Sequence, residues 1–123
     1  MVMLSASPGY LKASATERKR ICNGCGSARA KFDFVPDTIW GLSISPACDR
    51  HDWRYYEGKT IEDKELGDRE YMNNMIRLID DAFETGRFKA YQKWLKKRRY
   101  KRAAFYYDMV VKFGGKAFWS GKL

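Results

Sequence analysis

Three cysteines, three prolines and one histidine are all that the 123 residues hold of the side chains that most often cross-link, punctuate or catalyse. Three cysteines cannot all pair within one chain, and their number is low for a disulfide-built secreted domain, so a hydrophobic core must hold this fold. No stretch approaches the roughly 18 to 20 apolar residues of a membrane span. Met1 to Arg20 lacks the apolar run of a secretory signal and ends in Glu17-Arg18-Lys19-Arg20, so it reads as a soluble leader or a flexible arm. Acid is scarce in the last third. Residues 87–123 carry 12 basic side chains against the single Asp108, whereas residues 1–86 carry 12 basic against 14 acidic. That asymmetry marks 87–123 as a region for docking on something anionic, either a phospholipid surface or nucleic acid.

What is present suits one compact domain over 1–123, with 45% hydrophobic and 15% aromatic residues. Residues 23–42 are rich in Gly, Ser, Asp and Pro and read as a long irregular loop. Ser45-Pro46 reads as an N-cap with proline at the first helical position, and Gly58 as the stop. Between them Ile44, Ala47, Cys48, His51 and Tyr55 share one helical face. A capping box at Thr60 and Asp63 starts a second helix that Gly86 would end. Its inward stripe is Asp68, Tyr71, Met72, Met75, Leu78, Ile79 and Ala82. A third, strongly basic helix is predicted from about Phe88 to Lys112, bounded by Gly114-Gly115. The fold class is therefore mostly α.

Asp68 is out of place in an apolar stripe, because a core-facing acid costs free energy unless a partner satisfies it. The hairpin supplies one. If the first two helices turn near Lys59-Thr60, His51 and Asp68 each lie roughly 11 to 13 Å from the turn and stand level across the antiparallel pair. A histidine facing an inward carboxylate is a general-base arrangement, in which the acid fixes the tautomer and stabilises the imidazolium. Tyr55, one turn beyond His51, can donate to the same carboxylate.

Asn23-Gly24-Cys25-Gly26-Ser27, then Ala47-Cys48-Asp49-Arg50-His51-Asp52-Trp53-Arg54-Tyr55, then Asp68 with Tyr71, resemble the secreted-type phospholipases A2. The likeness is closest to the divergent N-G-C-G-S branch and to small, disulfide-poor bacterial and phage-borne versions, and it spans residues 22–79. It implies a phospholipase A2-like fold, with two antiparallel active-site helices, a calcium loop and a basic C-terminal helix. It also implies calcium-dependent hydrolysis of the sn-2 acyl ester of phospholipids. Carried over by position, His51 is the base, Asp68 its partner acid and Tyr55 a hydrogen-bond donor to that acid. Asp52 and the carbonyls of Gly24 and Gly26 would hold calcium, whose hard character suits oxygen ligands. Cys25 and Cys48 match a pair that is bridged in the family. With no secretory signal in sight, the expected location is the cytoplasm, a virion, or outside the cell by a non-classical route.

A competing reading uses the same residues. Cys22-x2-Cys25 followed by Cys48-x2-His51 has the spacing of a tetrahedral zinc site in a nucleic-acid- or protein-binding domain. The basic third helix fits either reading. Lys96, Lys97, Arg98 and Arg99 interleave with aromatics, which suits base stacking beside phosphate contacts. The same mixture suits an anionic membrane interface, with Phe118-Trp119 as a point of insertion, and this fits better with a lipid hydrolase.

Overall fold

Serine and threonine caps decide where three of the six helices among the described residues begin. The computed structural model describes residues 2–22, 36–83 and 88–122. Helix α1, Pro8–Lys12, starts at Ser7, whose side chain accepts from the Tyr10 amide. Helix α2, Ala15–Ile21, starts at a reciprocal capping box between Ser14 and Glu17. A two-stranded antiparallel hairpin follows, β1 at Thr38–Ile39 and β2 at Leu42–Ser43. Helix α3 is Ser45–Glu57, α4 is Ile61–Ala82, α5 is Lys89–Phe113 and α6 is Gly115–Trp119. The chain is mostly helical, as the periodicity predicts.

The boundaries differ from expectation in four places. Ser45 is the first helical residue rather than the N-cap; Ile44 takes that position without a side-chain cap. The Thr60 and Asp63 box forms as expected, but α4 ends at Ala82 with Phe83 as its cap, ahead of Gly86, which lies outside the described residues. The segment read as irregular to residue 42 contains the β1–β2 hairpin. Residues 1–20 are not a free arm over their described part. The Ser5 amide donates to Asn74 Oδ1 at 2.8 Å, Asn74 Nδ2 returns a bond to the Ser5 carbonyl, and Ser5 Oγ donates to Glu70. Tyr10 is buried edge-on against Trp53 and lies under the guanidinium of Arg18. A polar N-terminal sequence becomes a docked strap because its partners, Glu70 and Asn74, are buried polar groups that need bonds.

Helices α3 and α4 run antiparallel across the short Gly58–Thr60 connection. Cys48 lies near Tyr71, His51 opposite Asp68, and Arg54 beside Gly67. Gly58 is glycine for lack of room: a Cβ there would stand 2.7 Å from the Phe118 ring and 2.9 Å from the Arg54 carbonyl. The core gathers Ile39, Ile44, Ala47, Cys48 and Tyr55 with Tyr71, Met75 and Ile79 of α4. Ala103, Tyr106 and Val110 of α5, and Phe118 of α6, close it from the other side. Of the expected α4 stripe, Asp68, Tyr71, Met75 and Ile79 are buried, and Met72 and Leu78 pack at its margin.

Candidate active site

Asp68 is the centre of the buried polar chemistry. Its Oδ1 takes His51 Nε2 at 2.8 Å and the Tyr55 hydroxyl at 2.7 Å, while its Oδ2 takes Lys64 Nζ at 2.8 Å. His51 and Asp68 are each 2% exposed and Lys64 is 5% exposed. Burial pushes the Asp68 carboxyl up, but the hydrogen bonds from His51, Lys64 and Tyr55, with the His51 charge, outweigh it and hold the group below its ordinary range. Asp68 is therefore an acceptor-only carboxylate. Its bond to His51 must be donated by Nε2–H, which assigns the acceptor of a neutral ring to Nδ1.

The ring is fixed on its faces as well as at its edge. Tyr71 stacks on it at 4.6 Å between centroids and 27° between planes, and Tyr55 leans on it at 4.2 Å. Burial, followed by the charge and hydrogen bond of Asp68, raises the Tyr55 hydroxyl well above its usual range, so Tyr55 remains a proton donor to that acid. Tyr55 in turn stands edge-on to Phe118 and within reach of Gly114, where a Cβ would lie 2.5 Å from its hydroxyl. The level placement expected from the turn at residues 59 and 60 is thus realised to hydrogen-bond distance.

Asp52 follows His51 on α3 and is half-buried. Its charge helps to raise the hydroxyls of Tyr55 and Tyr71, and with Asp49 it helps burial push the Cys22 thiol up to about 12. Cys22, the C-cap of α2, therefore lies within the field of Asp52. Gly24, Gly26 and Cys25, the other expected loop residues, lie outside the described residues. Cys48 is disulfide-bonded and Cys22 is a free thiol. Among the described residues no group of three His, Cys, Asp or Glu side chains gathers to hold a metal ion.

The expected docking residues divide. Lys97 and Arg98 are exposed. Arg99 is committed internally, donating to the carbonyls of Ile39 and Trp40 at 3.3 and 3.0 Å. Lys96 pairs with Asp80 at 3.5 Å and lies over the rings of Phe83 and Tyr100. Phe118 is fully buried and does not insert anywhere; Trp119 is half-buried, edge-on to it at 4.8 Å. Two apolar residues in sequence are split by helix geometry, one into the core and one to its rim.

Lys64 escapes a reading of the sequence alone. A lysine four residues before an aspartate on a helix resembles a solvated surface pair. Here the pair is buried because Lys64 Nζ also donates to the Val110 carbonyl of α5 at 3.1 Å, a partner 46 positions away. The only local hint is that Asp68 already stands on the inward stripe, so a residue four positions away shares its face. Glu70 is missed for the same reason: it is buried by Arg54, which grips both its oxygens at 3.1 and 2.9 Å across the hairpin. No family model, curated protein or solved structure matches the chain.

Proposed function

We propose that the protein is a calcium-dependent hydrolase of phospholipid acyl esters, phospholipase A2-like in fold, with His51 as general base. One observation carries this reading: a histidine with Nε2 bound to a buried carboxylate that a tyrosine and a lysine also hold. In that arrangement Nδ1 accepts a proton from an attacking water, and Asp68 stabilises the imidazolium that forms. Lys64 keeps Asp68 ionised and in place. Tyr55 and Tyr71 orient the imidazole.

Asp52, together with the carbonyls of Gly24 and Gly26, would hold the ion. Carboxylate and carbonyl oxygens suit calcium. When bound, calcium supplies charge stabilisation for an ester carbonyl oxygen. The disulfide at Cys48 favours calcium over the zinc reading, which needs Cys48 as a thiolate. No helix among the described residues is long and apolar enough to cross a membrane.

The test separates the two aspartates. Asp52→Asn should weaken calcium binding, with activity partly restored by excess calcium. Asp68→Asn should leave calcium affinity nearly unchanged while lowering the catalytic rate. Identical calcium titrations for the two variants would show that the roles are wrongly assigned.

A further inference from the structure

The hairpin tip carries a bulky residue where a small one is expected. Trp40 and Gly41 are the two central residues between paired Ile39 and Leu42, and both have positive φ, 46° and 79°, as in a type I′ turn. That first position favours Asn, Asp or Gly, and a left-handed tryptophan is a strained choice. Its ring is not sheltered in compensation, since Trp40 is 46% exposed. It meets the edge of Trp94 at 5.7 Å, and Trp94, 44% exposed, stacks with Tyr91, 54% exposed.

This aromatic cluster is rigidly mounted. Arg99 holds the carbonyls of Ile39 and Trp40 on the entering side of the turn, and the Tyr106 hydroxyl donates to the Thr38 carbonyl at 3.0 Å. The flank of α5 that bears Trp94 continues with Arg98, Lys101 and Phe105 at spacings of 4, 7 and 11, all exposed. Asp108 is the only acidic side chain between residues 88 and 122. Helix α5 is therefore apolar on two sides: Leu95, Ala103, Tyr106 and Val110 face the core, while Tyr91, Trp94 and Phe105 face outward.

We infer that this face, with Trp40, Tyr91 and Trp94 as inserting rings and Arg98 and Lys101 as headgroup contacts, docks on an anionic phospholipid surface. Amphipathic indole and phenol rings beside basic side chains are suited to the boundary between water and acyl chains. Single-stranded nucleic acid is the weaker occupant. Base stacking needs an open ring face, and Trp94 is already engaged by Tyr91 from the turn before and by the Arg98 guanidinium, 5.3 Å from its centroid, from the turn after. The inference rests on the proposed function only for the choice of phospholipid. The contact lies on Trp40 of the hairpin and on Tyr91, Trp94, Arg98 and Lys101 of α5 rather than on Lys96, Arg99 and Trp119.

Binding is measured without turnover, by cosedimentation in EDTA with vesicles of equimolar phosphatidylcholine and phosphatidylglycerol. Trp40→Asn with Trp94→Gln should lower partitioning roughly tenfold or more. Asparagine accepts the left-handed backbone, so the single variant Trp40→Asn keeps the hairpin and should still weaken binding severalfold should the double variant fail to fold. Trp119→Phe should leave binding unchanged. Unaltered partitioning of Trp40→Asn, or no vesicle binding by the parent protein, would overturn the inference. So would tighter binding of a single-stranded oligonucleotide at equal salt that the same substitutions abolish. Vesicle binding that follows the substitutions in a protein without hydrolytic activity would uphold this surface and remove the functional reading instead.

Discussion

Replacing Asp68 by asparagine tests whether the site is one coupled charge unit. The amide keeps the shape and one acceptor oxygen but not the charge, so Lys64, 5% exposed, would be left with neutral acceptors alone, the carbonyls of Val110 and Val111 at 3.1 and 3.5 Å among them. Removing one member of a buried ion pair costs about 3 to 5 kcal/mol, a large share of the roughly 5 to 15 kcal/mol that stabilises a domain of this size. Lys64→Met should cost less, about 1.5 to 3 kcal/mol, because Asp68 would still accept from His51 and Tyr55. With both substitutions no stranded ion remains. Adding Lys64→Met to Asp68→Asn should therefore recover about 1 to 2 kcal/mol. Urea unfolding of the four proteins at pH 7 and constant m-value reads these differences. If Lys64→Met destabilises the Asp68→Asn background as much as it does the parent, the two groups are not coupled and the buried pair is not what holds Asp68.

The same carboxylate sets a pH dependence. Because the folded pKa of Asp68 is depressed, the unfolded chain binds its proton first as pH falls; the stability it supplies above about pH 4 is lost as pH drops through the lower folded value. Between pH 6 and pH 3 the parent's urea midpoint should fall further than that of the Asp68→Asn, Lys64→Met double variant, and equal falls would remove Asp68 from the acid response. Gly114→Ala would place a Cβ 2.4 Å from the Val110 carbonyl and 2.5 Å from the Tyr55 hydroxyl, so it should cost about 1 to 3 kcal/mol in thermal unfolding; an unchanged midpoint would show that the close approach is relaxed in solution. With its pKa pushed up to about 12, the Cys22 thiol should be roughly one part in ten thousand thiolate at pH 8. Iodoacetamide should therefore label it far more slowly in the folded protein than in urea, and equal rates would refute its shielding by burial and the neighbouring carboxylates.

Local grammar made the helical hairpin legible. The apolar face of α3, the Thr60–Asp63 box and a fixed rise per residue together place His51 level with Asp68 before any coordinate is known, and the 2.8 Å bond follows from that register. Partners supplied from far along the chain were not legible. Lys64 is buried by a carbonyl on α5, Glu70 by Arg54, and the N-terminal strap by Asn74; each would be an ordinary polar surface residue on an isolated helix. The β1–β2 hairpin escaped for a different reason. Its turn is Trp40-Gly41, whereas the recognisable signal is Asn-Gly or Asp-Gly. Sequence grammar thus also fails at the exposed aromatic tip for which lipid docking is proposed above. Phe118 and Trp119 show the converse limit, since adjacency in sequence says nothing about which of two aromatics a short helix turns inward.

Fatty-acid release from a defined phospholipid is the most direct test of the proposed chemistry, measured with millimolar calcium, with excess EGTA, and with His51→Asn in calcium. The expected result is release from the sn-2 position in calcium only, reduced by roughly 10² to 10⁴ in His51→Asn while its folded spectrum persists. Release that survives EGTA, release by His51→Asn at the parent's rate, or no release by the folded parent in calcium would contradict the assignment of His51 as the base of a calcium-dependent lipid hydrolase.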